Sequence, residues 1–261
     1  MTVAVDRTLA VLDLLSQHPH GVKVQDVALR IGVAPSAAHR LLNDLLRADY
    51  VCQNPQTGSY ALTVRLAALG LSWLGRTGVL DVCQPALDRL AENACELVRL
   101  SVADGDRLVW VAYAQGATSG LRYDPAREQG ATASLAYSAS GRAWAATLTP
   151  DRALTLIAAQ GLTPLEGAAS GTAMTLEQAL VMLAQARDAG HAEAVDCFLA
   201  GMAAIAVPLP GTGAARGCLS IAGPAARLTA TRRAGLLPAL RTAASEIAAM
   251  VPASGFFRGL K

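Results

Sequence analysis

The stretch GVAPSAAHRLLNDLL, Gly32 to Leu46, concentrates groups that could do chemistry. Ser36 offers a hydroxyl, Arg40 a permanent cation, and His39 and Asn43 further hydrogen-bonding groups. At helical spacing these residues share one face. Ser36 and Ala37 also keep the tip of that face slim. A helix that enters the major groove does so with its N-terminal residues first. Small side chains there permit close backbone approach, and the helix N-terminus favours phosphate. The chemistry expected is therefore the reading of a nucleic-acid duplex. Ser36 could meet a phosphate or a base edge, Arg40 a phosphate or a guanine, and Ala37 a thymine methyl. A second reading of Arg40, as a solvated charge paired with Asp44 at i,i+4, stays open.

Catalytic and metal-binding chemistry find little support. There is no G-x-S-x-G, no P-loop and no metal-spaced His/Asp set,. His18 and His20 in HPHG sit in a loop without a third ligand nearby, so no metal is expected there. His191 beside Gly190 reads as a turn residue, and Asp104 and Asp106 in ADGDR as a hairpin turn. The five cysteines are scattered without a C-x-x-C, which suggests reduced, mostly buried thiols,. The chain is expected not to be an enzyme and to need no cofactor. Two rival readings stand beside it: an enzyme with an accessory helical subdomain, and a structural dimerisation module.

Those residues need elements to position them. Asp6 to Gln17 carries a helical stripe of Val5, Leu9, Val11, Leu12 and Leu15,. Val24 to Ile31 reads as a second helix with Val27, Ala28 and Ile31 inward, closed by Gly32 in a left-handed conformation. Pro35 opens the next, where its missing N–H does no harm, and Leu41, Leu42, Leu45 and Leu46 form its buried side. Ala28, four residues before Gly32, lets the two helices approach steeply, and Val33 plugs the corner. After Tyr50 the period becomes two: YVCQ, a turn NPQTGS, then YALT, a hairpin. Together these make a winged helix-turn-helix over residues 1–62. The hairpin tip has no basic residue, so the wing offers only polar groups from Gln53, Asn54, Gln56 and Thr57.

Residues 63–78 read as a linker helix too apolar to stand free, loosened by Gly75 and Gly78. It should pack on a second copy or on the following domain. Residues 79–261 alternate between helix and strand. Helices are expected at Asp81 to Ala94, from Ser140, at Asp151 to Ala159, at Leu176 to Ala189 and at Thr231 to Met250. Strands are expected at VRLSVAD, LVWVAYA, AAIAVPLP and GCLSIAGP. Hairpin-linked strands with flanking helices imply an α+β domain on an antiparallel-rich sheet.

The 261 residues are 52% hydrophobic and 16% charged, enough apolar material for a sizeable core and not the composition of a disordered chain,. The net charge of +2 resides wholly in the residues up to Gly78, a weak electrostatic hint toward nucleic acid. With so few positive charges, binding per monomer should be weak and dimerisation needed. The N-terminus has no basic leader and reads as the first helix of a cytoplasmic protein; no membrane span is expected.

The stretches DRTLAVLDLL, VQDVALRIGVAPSAAHRLLNDLLRADYV, TGSYALT, YSASGRAWAAT and GHAEAVDCFLAGMAAIAVPLP…GCLSIAGPAARLT, in this order and spacing, resemble an IclR-type transcriptional regulator across nearly the whole chain. The resemblance implies a winged helix that binds operator DNA as a homodimer or dimer of dimers. It also implies a linker helix and a C-terminal GAF-like domain that senses a small organic acid. Ser36 and Arg40 match the family's hydroxyl and arginine positions; Ala37 stands where relatives usually carry threonine.

The resemblance extends to an effector pocket. Ala139, Ser140 and Gly141 in SASGRAW hold positions whose backbone N–H groups bind a ligand carboxylate in the family, which suits a helix N-terminus. Ser220 matches a ligand-facing serine, with Ala222 where a second serine occurs. Asp196 remains of an acidic run in which Ala194 and Cys197 replace acids, and Ala204 replaces a cysteine found in some relatives. Fewer polar partners and more room favour an aromatic or otherwise bulky acid over a small, heavily hydrogen-bonded one. GLRYDP, Gly120 to Pro125, should run along the pocket mouth, where Arg122 could meet a carboxylate and Tyr123 a ring. The alternative is a surface charge and a packing residue. Trp110 reads either as pocket wall or as core.

Overall fold

The computed structural model describes residues 3–77, 79–118, 120–125, 128–169 and 172–250. Gly78, expected to loosen the linker helix, lies outside them. The chain divides into two compact units, Met1–Arg76 and Thr77–Lys261.

In the first unit, α1 (Val3–Ser16), α2 (Val24–Ile31) and α3 (Pro35–Arg47) precede a hairpin of β1 (Val51–Gln53) and β2 (Tyr60–Leu62). Gly32 ends α2 at φ +67°, and a Cβ there would meet nothing within 4 Å. Its glycine is therefore explained by backbone conformation and not by space. The Val33 amide then donates to Ala28 O at 3.0 Å, and Ala28 and Ala38 are buried in the angle between α2 and α3. Pro35 opens α3 as expected. The core is Val11, Leu15, Val27, Leu42, Leu45, Val51 and Tyr60 with those alanines. Val5, Leu9 and Leu46, assigned to buried faces from their spacing, are exposed. An antiparallel bridge of Val22 with Tyr60 ties the hairpin to the segment before α2. The helix α4 (Val64–Thr77) follows, with Val64, Leu69, Leu71 and Trp73 exposed.

The second unit holds a five-stranded antiparallel sheet in the order β4-β3-β7-β6-β5. The strands are β3 (Leu97–Asp104), β4 (Arg107–Gln115), β5 (Ala192–Val195), β6 (Met202–Pro208) and β7 (Gly217–Pro224). The helices α5 (Val79–Ala94) and α9 (Ala230–Met250) pack on each other and on the sheet. A second layer holds α6 (Ala139–Ala145) against β5, β6 and β7, with α7 (Pro150–Gln160) and α8 (Leu176–Ala189) beyond it. Every residue of β7 is buried, as a central strand covered on both faces requires,. The strand β5 was not anticipated from the sequence.

Register carries this fold toward function. Arg99 of β3 lies opposite Ser220 of β7, which lies opposite Ala206 of β6. Ala222 likewise lies opposite Ala204, and Ala204 opposite Ala194. Side chains alternate across a sheet with period two, so these rows set one arginine among small neighbours. Of the cysteines, only Cys83 and Cys218 are buried, fewer than their spacing suggested; Cys52 and Cys95 are exposed. Burial pushes the Cys83 thiol up to about 11 and raises Cys218 as well.

Candidate nucleic-acid interface and ligand cavity

Pro35 starts α3 after Ala34, which supplies no side-chain cap. Ser36, His39 and Arg40 are exposed, and Ala37 and Asn43 half-buried. The Asn43 amide nitrogen lies 3.2 Å from His39 Nδ1. Asp44 pairs with Arg47, not with Arg40. His39, Arg40 and Asn43 line a shallow depression together with Leu46 and Arg47. Sequence reasoning missed Arg47, although it lies seven residues after Arg40 and thus on the same helix face. At the hairpin tip, Asn54 Oδ1 accepts from the Gln56 and Thr57 amides at 2.8 and 3.2 Å, and Gln53 Nε2 donates to Gly58 O. Thr57 Oγ1 also accepts from the Ser59 amide at 3.3 Å, so three of the wing's four polar side chains hold the turn itself.

His18 has Nδ1 2.8 Å from Leu14 O and Nε2 against Arg30, so both ring nitrogens are engaged within the protein. Asp106 and Asp104 pair with Arg152 and Arg107 on the surface. Among the described residues no cluster of three or more His, Cys, Asp or Glu could hold a metal ion.

The second unit holds a cavity of about 560 Å³. Trp110, Tyr123, Tyr137 and Phe198 supply its aromatic wall, and Glu128, Gln160 and Glu166 polar lining. Phe198 meets Trp110 edge to face at 5.8 Å between centroids. Tyr123 and Phe198 also line a recess of about 20 Å³ with Arg99, Ser138, Ala139, Ser140, Ala204 and Ser220.

Of the residues expected at the effector site, Ala139, Ser140, Ala204, Ser220 and Tyr123 come together at the recess, and Trp110 and Tyr123 at the larger cavity. Three do not join them. Arg122 is exposed and lines neither space, whereas the next residue, Tyr123, does. Asp196 adopts φ +57°, and its Oδ1 accepts from the Gly201 amide at 2.7 Å, so it holds a turn. Gly141 donates its amide to the capping Ser138 Oγ at 3.0 Å. A Cβ on Gly141 would lie 2.0 Å from Ser134 O, so its glycine serves close backbone packing.

Sequence reasoning missed the ion pair of Arg99, which lines the recess, with Glu128, which lines the cavity. Arg99 is 8% exposed, and its guanidinium carbon lies 4.3 Å from the Trp110 ring centroid and 5.7 Å from that of Tyr123. It pairs with Glu128, whose other oxygen accepts from the Tyr123 hydroxyl. Burial pushes the Arg99 guanidinium down. Burial also pushes the Glu128 carboxyl up, against the pull of the Arg99 charge. Arg99 Nε and Trp110 Nε1 are both buried with no hydrogen-bond partner among the described residues. A signal existed: Arg99 is the only charge between Leu97 and Ala103 in a strand flanked on both sides by others.

Comparison with known proteins assigns both units. The model of the IclR helix-turn-helix domain matches residues 4–55, and that of the bacterial transcriptional regulator IclR C-terminal domain matches residues 71–249. The HTH-type transcriptional repressor AllR of Escherichia coli (strain K12) is 26% identical over 230 residues, 88% of this chain and 83% of that protein. The HTH-type transcriptional regulator XynR of the same strain is 27% identical over 120 residues, 46% of this chain and 48% of that one. Among solved structures, an IclR homologue from Microbacterium hydrocarbonoxydans complexed with 4-hydroxybenzoate matches with a TM-score of 0.74 at 22% identity. That match covers 96% of this chain and 100% of the other. No helix among the described residues is long and apolar enough to cross a membrane.

Proposed function

Because the chain belongs to the IclR family, and is thus a DNA-binding transcriptional regulator and not an enzyme, we propose that it couples operator binding to an aromatic or other bulky carboxylic acid. In this reading residues 1–62 bind DNA, 63–78 form the linker helix and 79–261 sense the acid. The helix α3 enters the major groove. Ser36 and Arg40 contact phosphate or base edges, His39 and Asn43 extend that face, and Ala37 meets a thymine methyl. Arg47 adds a phosphate contact. The protein works in the cytoplasm as a homodimer or dimer of dimers. The exposed apolar residues of α4, Val64, Leu69 and Leu71, support association with a second copy,.

The observation that carries the ligand reading is the aromatic cavity of about 560 Å³ next to Arg99 and the start of α6. That volume lies within the ordinary range for small-molecule sites. Trp110, Tyr123 and Phe198 suit a flat ring. The amides of Ala139 and Ser140 offer donors for an anion, and Ser220 adds a hydroxyl. Ala194, Ala204 and Ala222 line the recess with methyl groups, which favours bulk over dense hydrogen bonding. The 4-hydroxybenzoate held by the Microbacterium homologue is the first compound to try. A thermal-shift panel tests the reading: aromatic acids, 4-hydroxybenzoate among them, should raise the melting temperature more than short aliphatic acids. Stabilisation by aliphatic acids alone, or by no acid, contradicts it.

A further inference from the structure

A buried arginine on a central strand costs a great deal unless its charge is met. In β3, Arg99 is held between the rings of Trp110 and Tyr123, so the position of the cation is fixed by packing. Its charge is met by Glu128, a residue of the loop beyond β4 that is itself part of the larger cavity's wall. The ion pair thus stands where the recess and the cavity adjoin: Arg99 lines one, Glu128 the other, and Tyr123, bonded to Glu128, lines both. Two further donors, Arg99 Nε and, on the cavity-lining Trp110, Nε1, are buried without acceptors among the described residues. The junction is rich in donors, and of the two carboxylates in the cavity's lining, Glu128 and Glu166, it is Glu128 that meets the guanidinium.

We propose that Arg99 is the group that pairs with the carboxylate of the effector, and that Glu128 is an internal stand-in which the effector displaces. The inference rests on the reading of the cavity as a carboxylic-acid site and names the residue that reads the acid. A ligand carboxylate that takes Glu128's place on the guanidinium keeps the buried charge neutralised. It sets an attached ring against Trp110, Tyr123 and Phe198, and gives the two orphan donors acceptors within the same site. The exchange forms and breaks only hydrogen bonds and one ion pair. Burial works against the ionised form of Glu128 and falls equally on the carboxylate that replaces it, so the ring contacts and the two orphan donors decide the exchange. Displacing Glu128 also lets a recess of about 20 Å³ open into the larger space. Affinity is then a competition between two carboxylates for one guanidinium, and the competitor can be removed by mutation.

The test is calorimetric titration of the full chain with benzoate and phenylacetate, each beside its neutral amide. Glu128→Gln should bind the acids about tenfold more tightly than the wild type while the amides are unchanged. The double variant Arg99→Gln with Glu128→Gln replaces the ion pair by neutral groups of similar size, which guards against misfolding. It should lose the preference for acid over amide. If the wild type binds the acids but Glu128→Gln binds them no better, or the double variant keeps the preference, the pair is purely structural and the inference is overturned. The acid-sensing reading would survive that result. If neither the wild type nor Glu128→Gln binds any acid, that reading fails and this inference with it.

Discussion

A side chain's direction, more than its type, decides whether it can act. Arg122 and Tyr123 are neighbours in one loop, yet Tyr123 reaches the cavity and Arg122 is exposed. Sequence spacing cannot separate them, because loop backbone has no fixed period. Arg99 shows the converse. Its isolation in an apolar strand was visible, but its role emerges only when Trp110, Tyr123 and Glu128 are brought around it from β4 and the following loop. On α3 the helical period worked better: Ser36, His39 and Arg40 are exposed as expected, and Asp44 pairs with Arg47 and leaves the Arg40 guanidinium to solvent. Arg40→Ala should therefore weaken operator binding by about 1–3 kcal/mol per site. Its effect on stability should be slight, and acid-induced thermal stabilisation should persist. Loss of both DNA binding and acid-induced stabilisation in that variant would contradict the assignment of the two roles to separate units.

Elements were legible where their periodicity was strong. The glycine-ended α2, the proline-started α3 and the hairpin all follow from local chemistry. The strand β5 did not, because Ala192 and Ala194 are too small to mark a buried face although both are buried. The bridge between Val22 and Tyr60 joins residues far apart in the chain, which no local pattern encodes. The exposed Val5 and Leu9 show the limit of a stripe: α1 contributes Val11 and Leu15 to the core and little of its first turns. Two glycines let the causes be separated. Gly32→Ala meets open space and bears only the left-handed backbone, a cost of about 1–2 kcal/mol,. Gly141→Ala drives a methyl to 2.0 Å from Ser134 O, an overpacking for which about 1–3 kcal/mol or more is expected. Denaturant unfolding should rank Gly141→Ala as the more damaging, and acid binding should fall with it, because α6 would shift. An equal or reversed ranking would show that Ser134 yields easily.

For the whole molecule, the charge is small and unevenly placed. The net +2 belongs to the residues up to Gly78, and the wing carries no cation. A single first unit therefore has few contacts with which to displace counterions, and two copies on a palindrome multiply them. In the proposed mode of action, one protein binds operator DNA and reports on an acid that it does not consume. Fluorescence anisotropy on a palindromic fragment from near its own promoter tests this most directly. The measurement is repeated across salt concentrations, with and without the acid that best stabilises the protein. Binding should weaken steeply and log-linearly with salt, its affinity should change with the acid, and the acid should be recovered intact. Turnover of the acid by a protein that binds no DNA would contradict this mode of action.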